Sequence, residues 1–375
     1  MAWHTEQRED RGADWRDHKG LRHTPAGSRG LTLAQRIAAY FADGGIADLD
    51  LAIHGTADPD AIAAAIDAVC RETLGSGVAE GLFYAASLGA VAGVALADGR
   101  RVVVKAYQAE TPPELLREIV RLRDRLRERG VAAPAGLAGP TPFGRGHAII
   151  ESLLDDGRIE DTHQPPFRRA LARGLHDLIE VARPLATPEA LYTYRELSKS
   201  GRLWRPPGKR FDFAATAAGA EYIDDVGRAA RALIEQHLEA GELVIGHADW
   251  RAEHVRFVSQ GETIRIAAIY DWDSLLKRRE PALVGVAAGC FCANWAAPET
   301  VALAPTLDES RAFVADYEAA RDRPFGREER HLLSGAFAYT VAHLARAGHA
   351  LGRKREPPGT FNHLVWTEGV GLLEL

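Results

Sequence analysis

"GHADWRAEHVRF", Gly246–Phe257, crowds two histidines, an aspartate, a tryptophan and two arginines into one short stretch. Such a cluster can bind a metal, move a proton or pin a buried turn. Its surroundings narrow the choice. The apolar run in "ELVIGHADW" predicts a short strand before it, and "VRFV" predicts a strand after it. The cluster therefore lies on a loop between strands, where a scaffold commonly presents reactive groups. Further on, the apolar run "IRIAAIY" delivers a second aspartate, Asp271, at its end. Two strand–acid units in tandem predict a hairpin that brings Asp249, His254 and Asp271 to one edge. Asp273, two residues later, points the same way if the strand persists. Taken singly, each aspartate reads equally well as a turn or cap residue.

The rest of the chain bounds what this edge serves. Its 375 residues suit two domains of ordinary size with an extension. Hydrophobic residues at 46% and charged residues at 26% predict a largely globular chain. A net charge of −6 offers no basic excess, so neither nucleic acid nor an anionic membrane is expected as partner. Cys70, Cys290 and Cys292 are too few for a disulfide framework and fit a reducing cytoplasm. The spacing in "CFC" is poor for a metal and reads as core packing. "PALVGVAAGCFCANWAAP", Pro281–Pro298, is the longest uncharged run and reads as a buried helix, not a membrane span. The polar N-terminus shows no secretory signal, so a cytoplasmic location is expected.

Residues 1–30 show no apolar period and are expected to be a mobile lead-in. "LTLAQRIAAYFADGG" and "DPDAIAAAIDAVCRET" then predict two helices, the second opened by Asp58 with Pro59 at its first position. Residues 1–75 thus form a helical extension. "VAGVALA" and "RVVVKAY" flank the turn "DGR" and predict a hairpin. "TPPELLREIVRLRDRLRERG" predicts a helix with a capping box from Thr111 and Glu114. "HAIIESLL" reads as a buried strand. From about residue 165, helical patterns dominate, as in "PPFRRALARGLHDLIEVARPL" and "EYIDDVGRAARALIEQHLEAG". A small β-rich unit, 76–155, precedes a larger helical one, 156–375, and the order suggests two lobes with a cleft between them.

One lysine stands out. Only six of the 46 basic residues are lysines, so arginine is the default cation of this chain. In "RVVVKAYQ", Val102, Val104 and Ala106 share one strand face; Val103, Lys105 and Tyr107 share the other. A strand lysine ordinarily faces solvent. Here the following helix places Glu118 at the border of its apolar stripe, between Leu115 and Leu122. A strand lysine with a helix glutamate is the pair that phosphoryl-transfer folds use to hold nucleotide phosphates. Glu118 reads alternatively as an ordinary flank charge.

"GHADWRAEH" followed by "IYDWDSL" resembles the catalytic and metal-binding segments of aminoglycoside phosphotransferases and related small-molecule kinases. "EPALVGVAAG" and the lobe order extend the resemblance over roughly residues 76–300. It implies an α+β, bilobal protein-kinase-like fold with a small β-rich N-lobe, a larger helical C-lobe and, ahead of them, the helical extension. It implies that Asp249 orients a substrate hydroxyl and accepts its proton, with Arg251 near the transferred phosphoryl group. Asp271, His254 and Asp273 are implied at Mg²⁺, and Lys105, fixed by Glu118, at the phosphates of ATP or GTP. Ser87 and Gly89 in "YAASLGAVAGV", with Gly93 beyond, would cover those phosphates, and Glu151 lies where the strand enters the hinge. The implied acceptor is a hydroxyl-bearing small molecule, aminoglycoside-like antibiotics included. Two departures are minor: Ala248 replaces a glycine, and "EPALVGV" lacks a following aspartate. His254 stands where the family carries a metal-binding asparagine, and imidazole suits Mg²⁺ less well than an amide oxygen. Two other readings follow. One is a nucleotide-binding pseudokinase weakened by His254. The other is a metal-dependent hydrolase using His247, Asp249, His254 and Asp271, which gives Lys105 and Glu118 no role. His147, His176, His237 and His343 are scattered and read as packing or surface residues. "SGRLWRPPGKRFDF", Ser200–Phe213, reads as a loop bordering the acceptor or as plain surface.

Overall fold

The computed structural model describes residues 30–375 except 46, 88, 186–190, 192–201, 205–210, 262, 296–300 and 354–356. The expected mobile lead-in and most of the 200–213 loop lie outside the described residues. Three helices come first: α1 (Leu33–Ala42), α2 (Ala47–His54) and α3 (Pro59–Leu74). Thr32 closes a capping box on α1, and Asp58 caps α3 ahead of Pro59. A five-stranded antiparallel sheet follows, built from β1 (Val78–Ala86), β2 (Ala90–Leu96), β3 (Arg101–Tyr107), β4 (Gly136–Phe143) and β5 (Gly146–Ser152). Its order is β1-β2-β3-β5-β4. The expected hairpin is thus the second half of a three-strand meander. Helix α4 (Pro113–Glu128) connects β3 to β4. Its expected capping box is absent: Pro112 is the cap residue, Thr111 lies one position too early, and Glu114 bonds Arg117 at 3.0 Å.

Strand alternation gives the sheet two different faces. Val102, Val104 and Ala106 pack with Ile37, Ile53, Ile62 and Ile66 of the extension. The helices before residue 75 therefore share the small lobe's core. Each of these buried isoleucines contributes about 1.5–3 kcal/mol of burial. Gly81 permits a close approach: a Cβ there would lie 2.6 Å from the Leu33 Cα. Between α2 and β1, Asp50 accepts a short hydrogen bond from Tyr84, and His54 Nε2 lies 3.1 Å from the same hydroxyl. On the opposite face, Tyr107 and Ile149 meet Leu116 of α4, while Ile119, Leu122 and Leu126 join the core of the larger lobe.

That lobe contains α5 (Pro165–Ala182), α6 (Glu221–Gln236), α7 (Glu280–Cys290), α8 (Leu307–Arg321), α9 (Arg327–Ala350) and α10 (Phe361–Glu368). Helix α7 is buried at every residue, as its apolar run from Pro281 predicts, and Glu280 at its start is paired with Tyr317 and Arg321. Gly285 brings it against α9, where a Cβ would lie 2.2 Å from the Leu333 carbonyl oxygen. Cys70, Cys290 and Cys292 are buried and free. No described helix is long and apolar enough to cross a membrane.

Four short strands carry the loops of interest: β6 (Leu243–His247), β7 (Val255–Gln260), β8 (Thr263–Ile269) and β9 (Leu275–Arg279). Strand β6 pairs with β9, and β7 with β8. The two strands expected to pair with each other, β6 and β8, do not. Only two residues separate β7 from β8, so these strands pair as a local hairpin, and β6 pairs with β9. The nested arrangement still delivers both loops to one place.

Candidate active site

Strand β6 ends at His247, which is 1% exposed. Its Nε2 lies 2.9 Å from the Tyr270 carbonyl oxygen, and its Nδ1 accepts from the Asp249 N–H at 3.2 Å. These partners require one neutral tautomer. Burial pushes the pKa down to about 4. The Trp250 and Trp272 rings flank the imidazole, and Trp250 itself donates to the Leu171 carbonyl. His247 thus pins the loop under Asp249. Both of its nitrogens are spent on backbone, so the four-ligand hydrolase set loses this member.

The next residues form a single 3-10 turn, Ala252–His254, tied to the segment after α7 by the bond from Ala252 N–H to the Phe291 carbonyl at 2.8 Å. Arg251 donates to Asp249 Oδ1 at 2.5 Å and pairs with the buried Glu253 at 3.3 Å. His254 Nδ1 lies 2.9 Å from the Asp249 carbonyl oxygen, and its Nε2 lies 3.3 Å from Arg251 Nη2. A carbonyl only accepts and a guanidinium only donates, so His254 donates through Nδ1 and accepts through Nε2. In this arrangement the ring braces the loop, because Arg251 occupies its lone pair. Asp249, His254 and Asp271 nonetheless offer ligand atoms within 4.8 Å of one another. Asp271 is held in a left-handed conformation, φ 60° and ψ 45°. Such a conformation costs a non-glycine residue about 1–3 kcal/mol and marks a place where the surrounding fold dictates the backbone. Ser274 Oγ donates to its Oδ2 at 2.9 Å.

Lys105 reaches this edge from β3. Its Nζ lies 3.2 Å from Asp273 Oδ1 and 3.6 Å from Glu151 Oε1. Burial alone would lower its pKa, but the Glu151 and Asp273 carboxylates outweigh that and hold it well above the usual lysine range. Glu118, expected as its partner, instead accepts from Arg121 at 2.5 Å along the flank of α4. The helix turns Arg123 inward in its place. Arg123 is fully buried and donates to Glu151 Oε2 at 2.6 Å. Glu151 sits opposite Val103 in the β3–β5 register, diagonal to Lys105 on the same face. It therefore joins two buried cations. Asp273 Oδ1 is engaged by Lys105. Burial and the nearby Asp271 charge push its carboxyl up, while Lys105 draws it down.

Ser87 and Gly89 form the β1–β2 turn, with Ser87 N–H bonded to the Gly89 carbonyl at 2.9 Å. Gly89 admits no side chain, since a Cβ would lie 2.7 Å from the Ala106 carbonyl oxygen. Gly93 lies inside β2 and seats the Phe83 ring, so it is no part of the turn. The Arg123–Glu151 pair escaped the sequence reading. Its trace was there: an arginine inside the stripe Leu116, Ile119, Leu126, and a glutamate interrupting "AIIESLL".

The model of the phosphotransferase enzyme family matches residues 93–277, a span holding Lys105, Glu151, Asp249 and Asp271. No curated protein matches the chain by sequence. Among solved structures, the amicoumacin kinase hAmiN, in complex with AMP-PNP, Ca²⁺ and Ami, is similar at a TM-score of 0.51 and 11% identity, over 78% of this chain and 89% of that one. Choline kinase LicA from Streptococcus pneumoniae gives 0.48 and 12%, over 82% and 98%. An aminoglycoside phosphotransferase from Alicyclobacillus acidocaldarius gives 0.47 and 11%, over 78% and 89%. At these identities the likeness is one of fold, and it is the bilobal α+β fold described above.

Proposed function

We propose that this chain, whose residues 93–277 match the model of the phosphotransferase enzyme family, moves the γ-phosphoryl group of ATP or GTP to a hydroxyl of a small molecule. One observation carries the reading. A lysine kept charged in a buried place pairs with Asp273 of one loop of the other lobe, and Asp271 of that loop lies within ligand reach of Asp249 on a second. Phosphoryl transfer asks mainly for positioning and charge neutralisation, and this edge offers both. Lys105 would bind nucleotide phosphate oxygens, with Glu151 rather than Glu118 holding it. Asp249 would orient the acceptor hydroxyl and accept its proton. Arg251, bonded to Asp249, would neutralise the transferred group. Ser87 and Gly89 would close over the phosphates.

The donor set fits Mg²⁺, a hard ion that takes carboxylate oxygens and water. Asp271 and Asp249 would hold it through their carboxylate oxygens, with His254 beside them bracing the loop, and the ion would neutralise phosphate charge. The nucleotide analogue and divalent ion in the hAmiN complex support a nucleotide and a metal as cofactors. The Arg251–Asp249 bond favours a second reading, a nucleotide binder without turnover, in which the carboxylate stays neutralised.

A nucleotide-consumption screen with Mg²⁺ tests both. ATP and GTP are each offered with hydroxylated small molecules, including aminoglycosides and choline. Transfer to any of them supports the kinase. Binding of nucleotide without transfer supports the second reading. A chain that binds neither nucleotide refutes both.

A further inference from the structure

A second group of metal-type ligands lies away from the candidate active site. His237 immediately follows α6 and precedes the loop into β6. Glu328 and His331 sit one turn apart in the first turns of α9, on one helix face. His237 Nδ1 lies 2.6 Å from Glu328 Oε2, and the His237 and His331 rings have centroids 4.6 Å apart. The three residues offer ligand atoms within 4.8 Å of one another. His331 Nδ1 is buried with no hydrogen-bond partner. An idle buried polar atom of this kind costs about 1–3 kcal/mol, so its placement beside a second imidazole and a carboxylate calls for a reason.

We propose that His237, Glu328 and His331 bind a Zn²⁺-class divalent ion that clamps the end of α6 to the start of α9. Two imidazoles and one carboxylate, with water completing a tetrahedron, are a borderline-soft donor set. That set favours Zn²⁺ over Mg²⁺, which prefers oxygen donors. The ion would supply the partner that His331 Nδ1 lacks. Its position has a consequence for the larger lobe. The loop leaving His237 runs directly into β6, the strand that carries His247 and then Asp249, so the clamp would fix the root of that strand.

The test uses the full chain stripped of metal and titrated with Zn²⁺ alone. Retained metal and thermal unfolding are measured together. The same titration on Asp271→Asn counts separately any ion held at the acidic loops. One Zn²⁺ is expected in both proteins, with Tm rising as Zn²⁺ is added. His331→Gln and Glu328→Gln are expected to weaken that binding by more than the about 10–100-fold that outer partners of a metal site cost, and to abolish the Tm rise. Glu328 is solvent-exposed, so its variant folds and keeps the test decisive even where His331→Gln does not. Wild-type protein that retains no Zn²⁺, or Glu328→Gln protein that retains it as tightly as wild type, overturns the proposal.

Discussion

The two sides of the candidate site are assembled by different kinds of contact. On the larger lobe, His247, Asp249, Arg251 and His254 hold one another within a single loop, and Tyr270 and Asp271 follow from the next. On the smaller lobe, Lys105 depends on Glu151 from a neighbouring strand, on Arg123 from a helix and on Asp273 from the other lobe. The first assembly is local and keeps its geometry through short hydrogen bonds to backbone. The second exists only when three distant segments have docked. Loss of one member should therefore affect chemistry on the first side and folding on the second.

The largest expected effect would come from Asp249→Asn. Its backbone bonds to His247 and His254 survive, so the loop should stay folded and nucleotide affinity should barely change. Turnover should fall by about 10²–10⁴-fold, the range of a lost general base. Turnover equal to wild type would remove Asp249 from the chemistry. Glu151→Gln comes next. It leaves Lys105 and Arg123 with a buried neutral amide where their shared acid stood, and should cost about 3–5 kcal/mol in urea unfolding. A small loss would mean that Asp273 and Asp124 suffice as partners.

The docked extension gives a pH version of the same contrast. Burial lowers the His54 pKa from 6.5 to about 4, whereas burial raises that of Asp50 from 3.8 to about 6. The neutral form is favoured in both. His54 contributes stability that is present above pH 6.5 and lost as pH falls toward 4. Asp50 contributes stability that is present at acid pH and lost as pH rises through 6. The two slopes oppose each other and flatten the wild-type profile. Asp50→Asn should expose the histidine slope, a loss of about 3 kcal/mol between pH 6.5 and 4, followed by unfolding across that window. An unchanged profile would mean that His54 is not kept neutral by its burial. The smallest effect belongs to Glu118→Gln, expected within about 0.5 kcal/mol of wild type and without effect on turnover. A large loss there would restore Glu118 as the partner of Lys105.

The loop side was legible in the sequence because its signals are short-range. An apolar run, then an acid, then a second run ending in an acid placed Asp249 and Asp271 on neighbouring loops, although the strands pair differently from the simplest hairpin. Lys105 was legible through its rarity and through strand alternation. Its partner was not. A helix turns about 100° per residue, so the choice between Glu118 and Arg123 as the inward residue depends on how α4 is rotated when it docks. The role of Glu151 depended equally on a register between β3 and β5 that neither strand specifies by itself.

The extension and His237 show the same limit. Capping and periodicity identified α1 and α3 correctly, yet nothing within 1–75 told which surface those helices would cover. His237 lies roughly ninety residues from Glu328 and His331, and no local pattern joins them. By itself the sequence determined the elements, their order and the reactive residues at the strand ends, because caps, turns and hydrophobic period act over a few residues. The tertiary structure decided which charges meet, because an ion pair needs two side chains to arrive at one point from different segments, and that is settled only when the segments pack.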